Sequence, residues 1–143
     1  MILGLDISTS ITGATVLDKD GKVVFCTAWD MRNKKYFPTL FAKSDFIKDR
    51  IWELDDMFHL EAVYIEQSLQ SFRSGFSSAK TLSTLSRFNG IVSWLCYDII
   101  KIIPEYIAAT SARKKCGIVI PRGVKAKQVV IKYIVDNVPD VLI

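Results

Sequence analysis

Histidine is almost missing from this chain: His59 is the single one in 143 residues. With one His, set where a helix is predicted to end, neither a Ser-His nor a Cys-His nucleophilic relay can be drawn. Zinc is disfavoured on the same ground, because it is usually held by Cys and His at short spacing and no such set is present. Cysteine is sparse as well. Cys26, Cys96 and Cys116 are odd in number, widely spaced and set among apolar residues, which predicts reduced core thiols in a cytoplasmic, reducing compartment in preference to a redox or metal role. Long apolar runs are also lacking. Residues 91–103 form the most apolar stretch, and Ser93, Asp98 and Lys101 interrupt it, so no membrane span is predicted. The N-terminus lacks the cationic start and cleavage region of a secretory signal. There is no internal repeat, linker or low-complexity block.

What is present is a chain that is 50% hydrophobic with a mean hydropathy of +0.23, the size and balance of one folded domain spanning residues 1–143. Charge is divided unevenly. Residues 1–100 carry 11 Lys and Arg against 12 Asp and Glu, whereas residues 101–143 carry 8 against 3. Arg113, Lys114, Lys115, Arg122, Lys125 and Lys127 fall within fifteen residues, in what reads as a loop and helix start after a strand, where side chains can reach successive phosphates. A solvated face is the alternative.

Two carboxylates organise the rest. The run Ile2-Leu3-Gly4-Leu5-Asp6 reads as a buried-type strand with an acid in it, which costs free energy unless something pairs with it. Residues 12–25 then read as a second strand, a tight Asp20-Gly21 turn and a third strand, an antiparallel meander. Pro38 followed by Thr39 through Phe58 has helical spacing, and Glu61-Ala62-Val63-Tyr64-Ile65-Glu66-Gln67 is a short strand returned parallel to the first. Asp6 and Glu66 then end neighbouring strands. Carboxylates that close raise each other's pKa, an arrangement stabilised chiefly by divalent cations, and hard oxygen donors suit Mg²⁺.

Residues 68–78, rich in Ser, Gly, Phe and Arg, predict a mobile loop beside Glu66. It carries Arg73, with Lys80 just beyond, as phosphate contacts, and Leu69 and Phe72 as candidates for a wedge at a branch point, though aromatics there could equally fold the loop back onto the domain. A long helix follows from about Ala79 to Ile100. On it Ser83, Ser86, Gly90 and Ser93 form a smooth stripe suited to tight packing within the chain or to a symmetric partner helix. A strand over residues 105–109 and a last helix from about Val124 to Asn137 complete an α/β pattern.

The strand Leu3-Gly4-Leu5-Asp6 with its small-polar turn and Thr12-Gly13, the segment Val63-Tyr64-Ile65-Glu66-Gln67, the small-residue-rich helix after it and the basic stretches at 112–115 and 125–129 together resemble the RuvC-type Holliday junction resolvases of the ribonuclease H-like superfamily. The resemblance covers nearly the whole chain in order. It implies a ribonuclease H-like mixed sheet, an antiparallel meander plus parallel strands flanked by helices. It also implies a homodimeric, structure-selective DNA endonuclease for four-way junctions or other branched DNA. Asp6 and Glu66 would be catalytic ligands of two Mg²⁺ ions, with Mn²⁺ able to substitute. The family pattern has a further acidic pair at the start of a last helix, and this chain ends at Pro139-Asp140-Val141-Leu142-Ile143 without a counterpart. A C-terminus cut short is therefore expected, with Asp140 as the candidate stand-in. Two other readings remain: a nuclease-like domain that binds nucleic acid without cutting it, and a fragment of an actin-like or sugar-kinase ATPase, whose first strand also carries an acid and a Ser/Thr/Gly turn.

Overall fold

Alternation along the strands decides which face of the sheet is covered. In the computed structural model, which describes residues 1–67 and 78–138, β1 (Ile2–Asp6), β2 (Ile11–Leu17) and β3 (Val23–Asp30) form the expected antiparallel meander. Side chains on a strand point alternately to opposite faces, so Leu3, Leu5, Thr12, Ala14 and Val16 share one face and all are buried. The β2–β3 turn is closed by Asp18, whose side chain accepts from the backbone N–H groups of Asp20 and Lys22 at 2.9 Å, with Gly21 at φ +81° where a side chain would be strained.

Helix α1 (Leu40–Phe58) starts where Thr39 accepts a hydrogen bond from the Ala42 N–H at 3.1 Å and stops at His59, in a left-handed cap at φ 51°. That explains the lone histidine: it ends a helix. Strand β4 (Ala62–Glu66) then runs parallel to β1, with Leu5 opposite Ile65. Helix α2 (Ala79–Ile100) is capped by Ser78, which accepts from the Thr81 N–H at 3.1 Å. Strand β5 (Glu105–Ile107) pairs parallel with β4 and completes a sheet of order β3-β2-β1-β4-β5. Helices α3 (Ala109–Lys115) and α4 (Ala126–Asn137) follow.

The core lies on one side of the sheet. Ile47, Ile51 and Leu54 of α1 and Phe88, Val92, Leu95 and Cys96 of α2 meet the buried strand residues there. Helices α3 and α4 bury no residue. No helix among the described residues is long and apolar enough to cross a membrane.

Three expectations are corrected. The stretch 109–115 is a helix and not a loop, because Ala109 and Ala112 favour helix and the cations of its last turn suit the negative helix end. Cys26 and Cys116 are exposed, and only Cys96 is a core thiol, which burial pushes up to about 12. Ser93 is buried and donates to the Asn89 carbonyl oxygen at 2.7 Å. It faces the core, which removes it from the surface stripe that Ser83, Ser86 and Gly90 retain.

Candidate active site

The face of the sheet turned away from the core carries Gly4 and Asp6 from β1, Gly13 and Thr15 from β2, and Tyr64 and Glu66 from β4. All six line one cleft of about 780 Å³, whose far wall is Ala109, Ala112 and Arg113 of α3 and Ala126, Lys127, Val130 and Ile131 of α4. The registers account for the grouping. Asp6 pairs with Gly13, Gly4 lies between Thr15 and Tyr64, and Glu66 is one step beyond the Leu5–Ile65 pair, next to Asp6. A Cβ at Gly13 would stand 3.7 Å from the Asp6 Cβ, ordinary contact distance, so the glycine leaves free space beside the acid.

Asp6 is exposed, contrary to the expectation of a carboxylate held inside the strand; Glu66 carries the desolvation. Burial is the main reason its carboxyl is pushed up to about 7. The charge of Asp6 and a hydrogen bond with Asp6 add to the rise, and the Arg113 guanidinium pulls it part of the way back. Glu66 therefore holds a proton near neutral pH more readily than an ordinary carboxyl, beside Asp6 and a fixed cation. A hard divalent ion can take that proton's place with both oxygens as donors. The donor set fits such an ion as part of an octahedral shell; among the described residues no group of three or more His, Cys, Asp or Glu converges.

The turn after Asp6 is built by short polar side chains. The Thr12 hydroxyl donates to the Ser8 carbonyl at 2.8 Å and accepts from the Ser8 N–H at 3.1 Å, while Ser10 N–H donates to the Ser8 hydroxyl at 3.2 Å. Lys43 of α1 donates to the Thr9 carbonyl oxygen, joining helix and turn. Ser8, Thr9 and Ser10 thus shape the turn after the first strand.

Of the basic residues read from the sequence, Arg113 and Lys127 line the cleft. Lys114, Lys115, Arg122 and Lys125 are exposed beyond it, and none of the six is in an ion pair among the described residues. Lys80 is exposed in the first turn of α2 and does not line the cleft. Leu69, Phe72, Arg73 and Asp140 lie outside the described residues. Tyr64, Gly4 and Thr15 were not foreseen as site residues, although period-two spacing from Glu66 and Asp6 marks Tyr64 and Gly4. Nothing local could have placed Arg113 beside Glu66.

No protein-family model matches the chain, and no curated protein matches it in sequence. Its fold matches solved structures. T. thermophilus RuvC in complex with Holliday junction substrate superposes with a TM-score of 0.64 at 13% identity, over 79% of this chain and 67% of that one. A second Thermus thermophilus RuvC structure gives 0.65 at 14%, over 99% and 83%. The yeast mitochondrial Holliday junction resolvase Ydc2 gives 0.59 at 15%, over 94% of this chain and 60% of that one. Among the described residues, the mixed five-stranded sheet flanked by four helices has the RuvC and ribonuclease H-like fold.

Proposed function

We propose that this chain, on the fold shared with RuvC and Ydc2, is a Mg²⁺-dependent endonuclease that cuts Holliday junctions or other branched DNA by phosphodiester hydrolysis, in recombination and repair. The observation that carries the reading is the meeting of Asp6 and Glu66 on the open sheet face, with Glu66 pushed up to about 7 and Arg113 beside it. A half-buried Glu66 beside an exposed Asp6, both at strand ends in a wide cleft, suits an ion-binding pair better than a structural one.

Asp6 and Glu66 would hold two Mg²⁺ ions, with Mn²⁺ able to replace them. Divalent metal, when bound, activates water for attack on phosphorus and stabilises charge on the leaving oxygen. The rest falls to the chain's own groups. Glu66 gives up its proton on loading, Arg113 adds a cation facing the substrate phosphate, and Gly4 and Gly13 keep the cleft floor low. The cations from Arg113 to Lys127 hold the DNA by its phosphates. A homodimer would set two such sites on the two strands of a four-way junction, with Ser83, Ser86 and Gly90 of α2 as the contact between copies.

Synthetic four-way junctions, linear duplex and RNA–DNA hybrid with Mg²⁺ are the test. Junction cutting is expected. Asp6→Asn and Glu66→Gln should each lower it by about 10² or more while leaving junction binding largely intact, since their loss weakens metal binding and not the phosphate contacts. Wild-type turnover in either variant rules the assignment out. Binding without cutting by the unaltered chain supports the second reading, a non-cleaving junction-binding domain, which the presence of only two converging acids among the described residues favours.

A further inference from the structure

Between β3 and α1 the chain runs Met31-Arg32-Asn33-Lys34-Lys35-Tyr36-Phe37-Pro38, and residues 31–44 contain four cations and no acid. Arg32 is spoken for: its Nε and Nη2 donate to the two oxygens of Asp30 at 2.9 and 2.7 Å. Lys34 and Lys35 are exposed, and neither is in an ion pair among the described residues. Tyr36 is 67% exposed, with the Lys35 ammonium 5.7 Å from its ring centroid.

This segment is held in shape. The Asn33 side-chain oxygen accepts from the Lys35 N–H at 2.9 Å, and its carbonyl oxygen accepts from Tyr36 and Phe37 at 3.2 and 2.9 Å. Met31 is fully buried at one end, and Phe37 packs edge-on against Phe46 at 5.2 Å at the other. Two lysines and a tyrosine are therefore displayed on a turn already ordered before anything binds, which lowers the entropic cost of gripping a ligand.

Its position gives it a use. The turn leaves β3 at the end of the sheet where β1 delivers Asp6, and the Met31 N–H donates to the Ser10 carbonyl at 2.7 Å, tying it to the turn after that acid. The basic helix α3 leaves β5 at the opposite edge. Four strand spacings, roughly 19 Å, separate the two edges, and Arg113 reaches back from α3 to Glu66 on β4, three spacings or roughly 14 Å from β3, with Asp6 in between.

We propose that the Lys34-Lys35-Tyr36 turn is a second phosphate-binding site, which takes the sugar-phosphate backbone of a second duplex arm while the α3–α4 cations hold the first. The proposal rests on the branched-DNA reading above. Because the separation exceeds the screening length of about 8 Å at physiological salt, the two sites act independently.

The test is the salt dependence of binding to a synthetic four-way junction in the absence of divalent metal, for wild type, Lys34→Ala/Lys35→Ala, Arg113→Ala/Lys114→Ala and the four-fold variant. Loss of the Lys34 and Lys35 pair should flatten the slope of log affinity against log salt by about 1.8, or 0.9 per contact. The losses of the two pairs should add in the four-fold variant, and Lys34→Arg/Lys35→Arg should keep the wild-type slope. A slope unchanged by Lys34→Ala/Lys35→Ala, where Arg113→Ala/Lys114→Ala does flatten it, overturns this site alone. A wild-type chain that does not bind the junction overturns the functional reading and this site together.

Discussion

At Glu66, burial and the charge of Asp6 push in the same direction, and this fixes how stability depends on pH. The carboxyl titrates at about 7 in the fold against an ordinary 4.5. Between those values the native state holds more proton than the unfolded chain, so without divalent metal stability falls as pH rises from about 4.5 and levels off above about 7. Glu66→Gln cannot ionise. Its melting temperature in chelator should match wild type near pH 4 and exceed it near pH 8, read by calorimetry; a difference that does not change with pH would show that Glu66 is not held protonated. Arg113 opposes the rise, so Arg113→Ala should carry the fall in stability to still higher pH.

The helices divide into two kinds by what they bury. Helix α2 places Phe88, Asn89, Val92, Ser93, Leu95, Cys96 and Ile100 in the interior, whereas α4 places none there and instead roofs the cleft with Ala126, Lys127, Val130 and Ile131. Helical stability in proteins comes mainly from packing an apolar face. Amides of Val130–Val135 should therefore exchange with solvent on the order of 100-fold faster than those of Val92–Cys96, measured by native-state hydrogen exchange. Equal protection would mean that α4 is secured by contacts beyond those described. On the proposed function, such a roof would let a substrate as large as a DNA arm pass between α4 and the sheet.

Over the molecule as a whole, one sheet face is closed by α1 and α2 and the other carries the cleft, so the outer surface of α2 is where the proposed homodimer would join. Ser83, Ser86 and Gly90 lie on that surface, next to Trp94 and Tyr97, which are 58% and 47% exposed. A Cβ added at Gly90 meets nothing within 4 Å in the single chain. Gly90→Arg should therefore leave the protomer folded and even stabilise its helix by about 0.5–1 kcal/mol, while a bulky charge splits a dimer joined there. Sedimentation should show a dimer for wild type and a monomer for the variant. A variant that stays dimeric places the contact elsewhere.

Much of this was legible from the residues because it obeys local rules. Short apolar runs located β1, β2 and β4, the Asp20-Gly21 turn closed the hairpin, and Thr39 and residues near Ser78 marked the starts of α1 and α2, since strands, turns and caps are set by neighbours a few positions away. Asp6 and Glu66 could be named for the same reason: each is an acid at the end of an apolar strand. What the sequence could not contain is anything set by distant parts of the chain. That Glu66 and not Asp6 bears the desolvation, that Ser93 turns inward while Cys26 and Cys116 turn out, and that Arg113 reaches Glu66 from a helix three elements further on are outcomes of strand order and burial. Those depend on which face the helices cover, and only the folded chain decides that.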